Sequence, residues 1–126
     1  MDVQNAARLA PFTTKDGSQI RELLAYRNSC LCAMSLAEAT LPPGAATVPH
    51  YHLQAEEIYF ILAGSGLMHL GSETRQVGAG DAIAIPRTTP HQLVNTATQP
   101  LVLLCCCSPA YEHWDTVLLT AAAEAE

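Results

Sequence analysis

The sequence predicts a single all-β domain, built as a β-sandwich or barrel. Two observations support this fold class. Short runs rich in β-branched and aromatic residues recur along the 126 residues, and glycine or proline punctuates them at regular intervals. We find no internal repeat, low-complexity linker or domain boundary. We therefore expect one domain over 1–126, with a core of about 20–119 and loose tails at 1–10 and 120–126.

The individual strands follow from this punctuation in chain order. Lys15-Asp16-Gly17-Ser18 is predicted to be a turn before a short strand or helical turn at 20–24, and a long strand at 31–41 stops at Pro42-Pro43-Gly44. Gly64-Ser65-Gly66 separates the strand that begins at residue 57 from a strand at 67–70. A hairpin at 71–73 leads into 74–77, a turn at 78–81 leads into 82–85, and a last strand occupies 101–107.

Three histidines and one glutamate form the most informative group of residues. His50 and His52 are two residues apart, so on a strand their imidazoles project from the same face. Glu57 opens a second strand and His91, after two prolines, a third. A His-x-His pair alone more often marks surface or core histidines. Together, however, three nitrogens and one anionic oxygen suit a divalent Fe, Mn, Zn, Ni, Co or Cu ion and leave two positions of an octahedron open.

The order and spacing of these residues resemble the two motifs of the cupin superfamily. The first motif places glycine, five residues, His-x-His, four residues, glutamate, six residues and glycine. Every position matches, at Gly44, His50, His52, Glu57 and Gly64. The resemblance implies a double-stranded β-helix, or jelly-roll barrel, in which His50, His52, Glu57 and His91 are the metal ligands.

The second motif of the family matches with one departure. It runs glycine, five residues, Pro-x-Gly, two residues, histidine, three residues and asparagine. The matching residues are Gly80, Pro86, His91 and Asn95, whereas Thr88 stands where the motif has its second glycine. This departure affects a turn and leaves the expected ligands in place.

Composition limits the partners of the protein. The chain has 12 acidic and 6 basic residues and no cluster of lysine or arginine, which argues against nucleic acid or an anionic membrane surface. No stretch is long or apolar enough to cross a bilayer, and the N-terminus lacks the features of a signal peptide. We therefore expect a cytoplasmic protein whose partner is a small-molecule substrate.

Tyr59 is the nearest candidate for a catalytic side chain besides the metal ligands. It lies two residues after Glu57 on the same strand, so both should point inward. Its phenol could donate a proton or hydrogen-bond to substrate. The alternative is a core tyrosine whose hydroxyl is paired within the protein.

The five cysteines allow two interpretations. If strands 31–41 and 101–107 pair antiparallel, Cys30 and Cys32 approach Cys107 and Cys105 and could form a thiol cluster. The alternative, which we favour, is that all five are reduced and serve as small buried hydrophobic residues.

Two strands, 58–62 and 101–107, are apolar on both alternating faces. An exposed sheet face normally alternates polar with apolar residues, so the outer side of these strands needs a cover. We expect a homodimer that packs through this face. A monomer whose N-terminal arm covers the sheet is the alternative.

Three functions are compatible with these residues. The first is a metalloenzyme acting on a small oxygenated organic molecule, as a dioxygenase or as an isomerase, dehydratase or decarboxylase. The second is a non-catalytic module that binds a small ligand through the metal. The third is a storage or purely structural role, against which the retention of all four expected ligands argues. The few basic residues leave little to bind a phosphate, so we expect a compact, largely apolar substrate with one or two oxygens.

Overall fold

The computed structural model describes residues 1–120 as two antiparallel β-sheets. The predicted tail at 120–126 therefore lies almost wholly outside the described residues. Short 3-10 helices occupy Ala6–Arg8 and His113–Asp115. The strands are β1 (Phe12–Thr13), β2 (Gln19–Leu24), β3 (Ser35–Leu41), β4 (His50–His52), β5 (Glu56–Ala63), β6 (Ser65–Leu70), β7 (Glu73–Gly78), β8 (Ala82–Ile85), β9 (His91–Val94), β10 (Leu101–Ser108) and β11 (Thr116–Leu118).

The strand order is that of a jelly-roll barrel, which confirms the predicted fold class. One sheet has the order β1-β2-β3-β10-β5-β8 and the other the order β11-β4-β9-β6-β7. Apolar side chains from both sheets pack between them, and Ile61, Leu93 and Leu101 are the most completely buried of these. Burial of each such side chain stabilises the fold by about 1.5–3 kcal/mol.

One predicted strand is too long. The strand expected at 31–41 begins only at Ser35, because its partner β10 is paired with it from Leu101 to Cys107 and is followed by Pro109. Proline has no N–H to continue the ladder. Two strands, β1 and β11, were not predicted, and each is only two or three residues long.

The outer face of the six-stranded sheet is apolar and uncovered in the single chain. Ile58, Phe60 and Leu62 on β5 are 51%, 39% and 44% exposed. The N-terminal arm does not cover them, since its hydrogen bonds run to the region of β2: the Leu9 carbonyl accepts from Arg21 Nε at 3.1 Å. The structure therefore gives no support to a monomer closed by its own arm.

Among residues 1–120, the structure contains no helix that is long and apolar enough to cross a membrane.

Candidate metal centre

Three histidine side chains meet inside the barrel, on two neighbouring strands of the five-stranded sheet. His50 and His52 project from β4, and His91 is the residue of β9 that pairs directly with His50. All three are 2–3% exposed. One nitrogen from each ring lies within 4.8 Å of one from each of the others, a spacing that could hold a metal ion. The period of two along β4 places both of its imidazoles on the inner face, as the sequence predicts.

Hydrogen bonds to backbone carbonyls orient two of the rings. His50 Nδ1 donates to the Val48 carbonyl at 2.7 Å, and His91 Nδ1 donates to the Thr89 carbonyl at 2.9 Å. Because a carbonyl only accepts, each proton lies on Nδ1, and each Nε2 of the neutral ring carries a lone pair toward the interior. His91 Nε2 is buried and has no hydrogen-bond partner among the described residues. A buried acceptor without a partner is costly, and a cation would satisfy it.

Burial favours the neutral form of His50. Desolvation, followed by the neighbouring His91, lowers the pKa of His50 below its ordinary value. A neutral imidazole is the form that binds metal ions. The orientation and the charge state of this ring therefore both fit a ligand.

Glu57 brings an anionic oxygen next to two of these histidines from the opposite sheet. Its Oε1 lies 3.1 Å from His52 Nε2 and 3.6 Å from His91 Nε2. Burial alone would raise the pKa of Glu57, but when the two facing imidazoles carry a proton on Nε2, their hydrogen bonds and positive charge outweigh burial and lower the pKa to about 2. Glu57 is therefore ionised at neutral pH. Its second oxygen, Oε2, accepts a hydrogen bond from the Cys107 thiol at 3.3 Å.

Residues around β11 support this group of side chains. The Thr116 hydroxyl donates to the Glu112 carbonyl at 3.2 Å and lies 3.2 Å from His52 Nδ1, from which it can accept. Asp115, 3% exposed, accepts hydrogen bonds from the backbone N–H groups of Gln54 at 2.8 Å and Ala55 at 3.1 Å. These two N–H groups belong to the spacer between His52 and Glu57. The sequence carries no periodicity that relates β11 to this site, and the prediction missed both residues.

A carboxylate that the sequence analysis assigned only to a turn also reaches the site. Asp16 Oδ2 lies 3.6 Å from His50 Nε2, and the Asp16 side chain is 14% exposed. The turn at 15–18 is present: Gly17 N–H donates to the Thr14 carbonyl at 3.0 Å. No local signal shows that this turn folds over the end of the barrel, because its position depends on the packing of β1 and β2.

Tyr59 points inward, as expected for a residue two positions after Glu57. Tyr59 is 3% exposed and lines the cavity, and its ring packs edge-on against His91 with centroids 5.9 Å apart. Burial, and then the charge of Glu57, raise the pKa of Tyr59 well above its ordinary value. Within residues 1–120, the Tyr59 hydroxyl forms no hydrogen bond with a side chain or a carbonyl. The phenol therefore faces the cavity protonated.

The cysteines divide by position. β3 and β10 pair antiparallel as expected, but Cys30 and Cys32 precede β3 and are exposed, so the thiol cluster is wrong. The prediction that all five cysteines are buried is confirmed for Cys107, is only partly correct for the half-buried Cys105 and Cys106, and is wrong for the exposed Cys30 and Cys32. Burial, and then the charge of Glu57, raise the pKa of Cys107 above its usual range, so this thiol is the donor toward the carboxylate.

Other residues considered from sequence lie outside the group. Glu56 is exposed, His69 bonds to the Thr74 hydroxyl on β7, and His113 is exposed in a 3-10 helix. Tyr111 and Trp114 could not be placed from sequence. The structure separates them: the Tyr111 ring lies edge-on to His52, with centroids 6.0 Å apart, whereas Trp114 is 61% exposed.

Two residues of the second motif have structural roles. Thr88, at the position of the motif glycine, has φ 62°, and its N–H donates to the His52 carbonyl at 2.7 Å. A left-handed backbone is unfavourable for a β-branched residue, which explains why glycine fits this position. Asn95, 1% exposed, donates through Nδ2 to the carbonyls of Leu41 at 3.0 Å and Gln99 at 2.8 Å.

The cavity beside these groups lies between the two sheets, and water-sized molecules can occupy about 50 Å³ of it. Most of its walls are apolar, and its charged side chains are acidic: Asp16, Glu22 and Glu57. Within the part of the chain that the structure describes, no lysine or arginine lines it. The site therefore combines a polar, anionic floor with apolar walls.

Sequence comparison finds relatives along most of the chain. An uncharacterised protein of Methanocaldococcus jannaschii is 48% identical over 112 residues, which cover 89% of this chain and 90% of the relative. An oxalate-binding protein of Thermotoga maritima is 33% identical over 72 residues, which cover 57% of this chain and 60% of the relative.

Structure comparison gives the same fold. The crystal structure of a predicted oxalate decarboxylase from Thermotoga maritima superposes with a TM-score of 0.76 and 25% identity, covering 85% of this chain and 98% of that chain. A family model described as "Cupin domain" matches residues 37–107, more than half of the chain. Strands β4 to β9, which include both histidine-bearing segments, fall within this range. The protein therefore belongs to the cupin domain family.

Proposed function

We propose that His50, His52, Glu57 and His91 bind one divalent transition ion, and that the protein uses it to bind and transform a small oxygenated organic molecule. The observation that carries this proposal is the buried Nε2 of His91, which has no hydrogen-bond partner among the described residues and is directed at the other imidazoles. A neutral nitrogen in this position accepts a hydrogen bond from water or binds a cation, and its convergence with two further imidazoles and a carboxylate favours the cation.

The donor set fits Fe, Mn, Zn, Ni, Co or Cu. Imidazole nitrogen with one carboxylate oxygen is a borderline set that all of these ions accept. Such an ion supplies Lewis acidity, and also redox chemistry where it is iron, manganese or copper. The chain itself supplies the orientation: backbone carbonyls hold His50 and His91, and the Cys107 thiol holds the second oxygen of Glu57.

The cavity walls favour an uncharged or weakly charged substrate. A phosphorylated sugar needs cationic side chains to bind its phosphate, and the described cavity walls have none. The carboxylates of Asp16, Glu22 and Glu57 would repel any anion that is not directly neutralised. A compact molecule such as a diketone or phenol, with one or two oxygens directed at the floor, fits these walls, and a hydroxy acid fits them only if its carboxylate binds the ion directly. Dioxygenase and isomerase, dehydratase or decarboxylase reactions are the reaction types that we consider.

Tyr59 is the proposed catalytic residue of the chain. Its hydroxyl is protonated at neutral pH and has no hydrogen bond within the described protein, so it can donate to an oxygen of the substrate. The apolar part of its ring packs on His91 and fixes its position. A Tyr59→Phe variant should keep the metal and lose turnover.

Non-catalytic binding is the second candidate function, and one observation favours it. A relative that is 33% identical is an oxalate-binding protein. Oxalate could chelate an ion with its two oxygens, but the acidic cavity would weaken its binding. Calorimetry with oxalate and with neutral acetylacetone on the same metal-loaded protein separates the two ligand classes. Tighter binding of oxalate would contradict our assignment of substrate charge.

Metal content tests the ligand assignment. Protein expressed without a histidine tag should contain one ion per chain, and His52→Ala or His91→Ala should remove it and leave a folded barrel. His69→Ala is the matched control, because His69 lies outside the site and bonds to Thr74. If His52→Ala and His91→Ala retain as much metal as the control, the assignment is wrong.

Oxygen uptake then separates the reaction classes. The metal-loaded protein is tested against small diketones, phenols and hydroxy acids, with product analysis for each. Bound iron with oxygen consumption would support the dioxygenase. Zinc or manganese with turnover but without oxygen consumption would support an isomerase, dehydratase or decarboxylase.

The homodimer is proposed through the outer face of the six-stranded sheet. Ile58, Phe60 and Leu62 form an exposed apolar row there, and a second copy is the proposed occupant because an uncharged apolar surface lets two chains of net charge −6 pack together with little charge repulsion. Light scattering at micromolar concentration should give twice the mass of one chain. Phe60→Lys should give a monomer, whereas Leu53→Lys, at another exposed apolar residue, should not. A monomeric parent protein would refute this proposal.

The cytoplasmic location stays a prediction. Its support is the set of five unpaired cysteines, which a reducing compartment preserves.

A further inference from the structure

The turn between β1 and β2 holds a carboxylate with one oxygen fully engaged and one directed at the site. Asp16 Oδ1 accepts hydrogen bonds from the Thr14 hydroxyl at 2.7 Å, the Ser18 N–H at 2.9 Å and the Ser18 hydroxyl at 2.6 Å. Asp16 Oδ2 takes part in none of these bonds and lies 3.6 Å from His50 Nε2. The turn thus directs toward the imidazole the one carboxylate oxygen that the turn itself does not hydrogen-bond.

The turn is tied to the strand that carries His50. Val48 N–H donates to the Asp16 carbonyl at 2.7 Å, and Lys15 Nζ donates to the Thr116 carbonyl at 2.8 Å. Val48 is also the residue whose carbonyl orients the His50 ring. The distance between Asp16 and His50 therefore depends on a backbone hydrogen bond two residues before His50 and on the Lys15 side chain bonded to β11, as well as on the Asp16 side chain itself.

The contact between Asp16 and His50 is not a hydrogen bond. At 3.6 Å it is longer than an N–H···O bond, and His50 Nε2 is the ring nitrogen without a proton, since Nδ1 donates to Val48. Two acceptors therefore face each other. Two donor atoms that each lie about 2.1 Å from one ion are about 3–4 Å apart, so this separation matches a pair that shares a cation. His91 Nε2 and Glu57 Oε1 show the same distance, 3.6 Å.

We propose that Asp16 is a fifth protein ligand of the metal centre, through Oδ2. This inference rests on the proposed function, because it needs the ion to be held by the three histidines. It adds a carboxylate on the His50 side of the site, while Glu57 lies on the side of His52 and His91.

A fifth ligand changes what the site can bind. Two carboxylates and three neutral imidazoles carry a formal charge that cancels a divalent ion, which lowers the cost of burying that ion. An octahedral ion would then keep one open position in place of two. The substrate would bind through a single oxygen, unless Asp16 leaves the ion, and a bidentate chelator would compete directly with Asp16.

Metal affinity and the cobalt spectrum test this proposal. Parent protein, Asp16→Asn and Asp81→Asn are stripped of metal, and cobalt(II) affinity is measured by competition with a chelator while the visible absorption of bound cobalt is recorded. Asn at position 16 keeps an oxygen for the turn but replaces Oδ2 with an amide nitrogen. Asp81→Asn is the matched control, because Asp81 also accepts a backbone hydrogen bond in a turn, at 2.8 Å from Gly78 N, outside the cavity.

We expect Asp16→Asn to weaken cobalt binding by about 10- to 100-fold and to change the intensity of the cobalt bands, which depends on coordination number. The control, Asp81→Asn, should match the parent in cobalt affinity and in the cobalt spectrum. An Asp16→Asn protein that binds within 3-fold of the parent, or that binds more weakly with an unchanged spectrum, would overturn the assignment as a ligand. If the parent and the control bind no cobalt, the proposed function fails, and the inference about Asp16 fails with it.

Discussion

Replacing Asp115 with alanine should destabilise the metal-free protein by about 3–4 kcal/mol. The carboxylate is 3% exposed and accepts two backbone N–H groups, from Gln54 at 2.8 Å and Ala55 at 3.1 Å. Alanine would leave the buried Ala55 N–H without a partner, at about 2–3 kcal/mol, and would return the part-buried Gln54 N–H to partial contact with water, at about 1 kcal/mol. The same change should weaken metal binding by about 10-fold, because the freed segment is the spacer between two of the proposed ligands.

Urea unfolding followed by circular dichroism, with chelator present, measures the first effect without any contribution from metal. Asp81→Ala is the control: Asp81 also accepts a backbone N–H, from Gly78 at 2.8 Å, but on the exposed surface, where the loss is about 0.5–1 kcal/mol. Asp115→Asn keeps one acceptor oxygen and should lose about half as much stability as Asp115→Ala. If Asp115→Ala is no more destabilised than Asp81→Ala, burial of these hydrogen bonds does not stabilise the spacer.

Three further predictions concern the remaining unusual positions. Thr88→Gly should raise the free energy of unfolding by about 0.5–1 kcal/mol. Relief of the left-handed backbone strain at Thr88, about 1–2 kcal/mol, exceeds the cost of the greater backbone entropy of glycine in the unfolded chain. A lower free energy of unfolding in urea would contradict this prediction. Asn95→Ala should lower the free energy of unfolding by about 2–3 kcal/mol in the same assay, because the carbonyls of Leu41 and Gln99 lose their hydrogen-bond donor. A decrease of less than about 1 kcal/mol would show that water replaces the amide as donor. Thiol titration of the native protein should modify Cys30 and Cys32 rapidly and Cys107 only after unfolding; fast reaction of all five cysteines would contradict the burial of Cys107.

The sequence predicts those parts of the fold that depend on local pattern. β8 was predicted with its observed bounds, and the strands that carry Glu57 and His91 were placed from β-branched content and from proline. The strand predicted at 31–41 was longer than the observed β3, because residues 31–34 are apolar but have no partner in β10. Strand pairing depends on residues that are distant in sequence, which a local pattern does not report. β1 and β11 were missed for the related reason that they are short and are defined by their neighbours.

The same division applies to the candidate site. His50 and His52 are related by a period of two on one strand, and each of the other two expected ligands opens a strand, so spacing alone predicts that their side chains converge. Asp16 has no such relation to them. It reaches His50 because β1 and β2 fold the turn against the residues that precede β4, and that contact exists only once the barrel is closed.

The cupin motif names four expected ligands but does not specify how the surrounding residues limit a bound substrate, and the contacts around the histidines bear on that point. A motif of four donors leaves two open positions on an octahedral ion, whichever protein carries it. In this chain a carboxylate faces one imidazole nitrogen at 3.6 Å, and a thiol donates to the second oxygen of Glu57. These two contacts act on opposite sides of the centre. As the proposed fifth ligand, Asp16 would limit how many substrate oxygens can reach the ion, whereas the hydrogen bond from Cys107 to Glu57 Oε2 would favour metal binding through Oε1. Substrate selection in this protein should consequently depend as much on these two residues as on the motif itself.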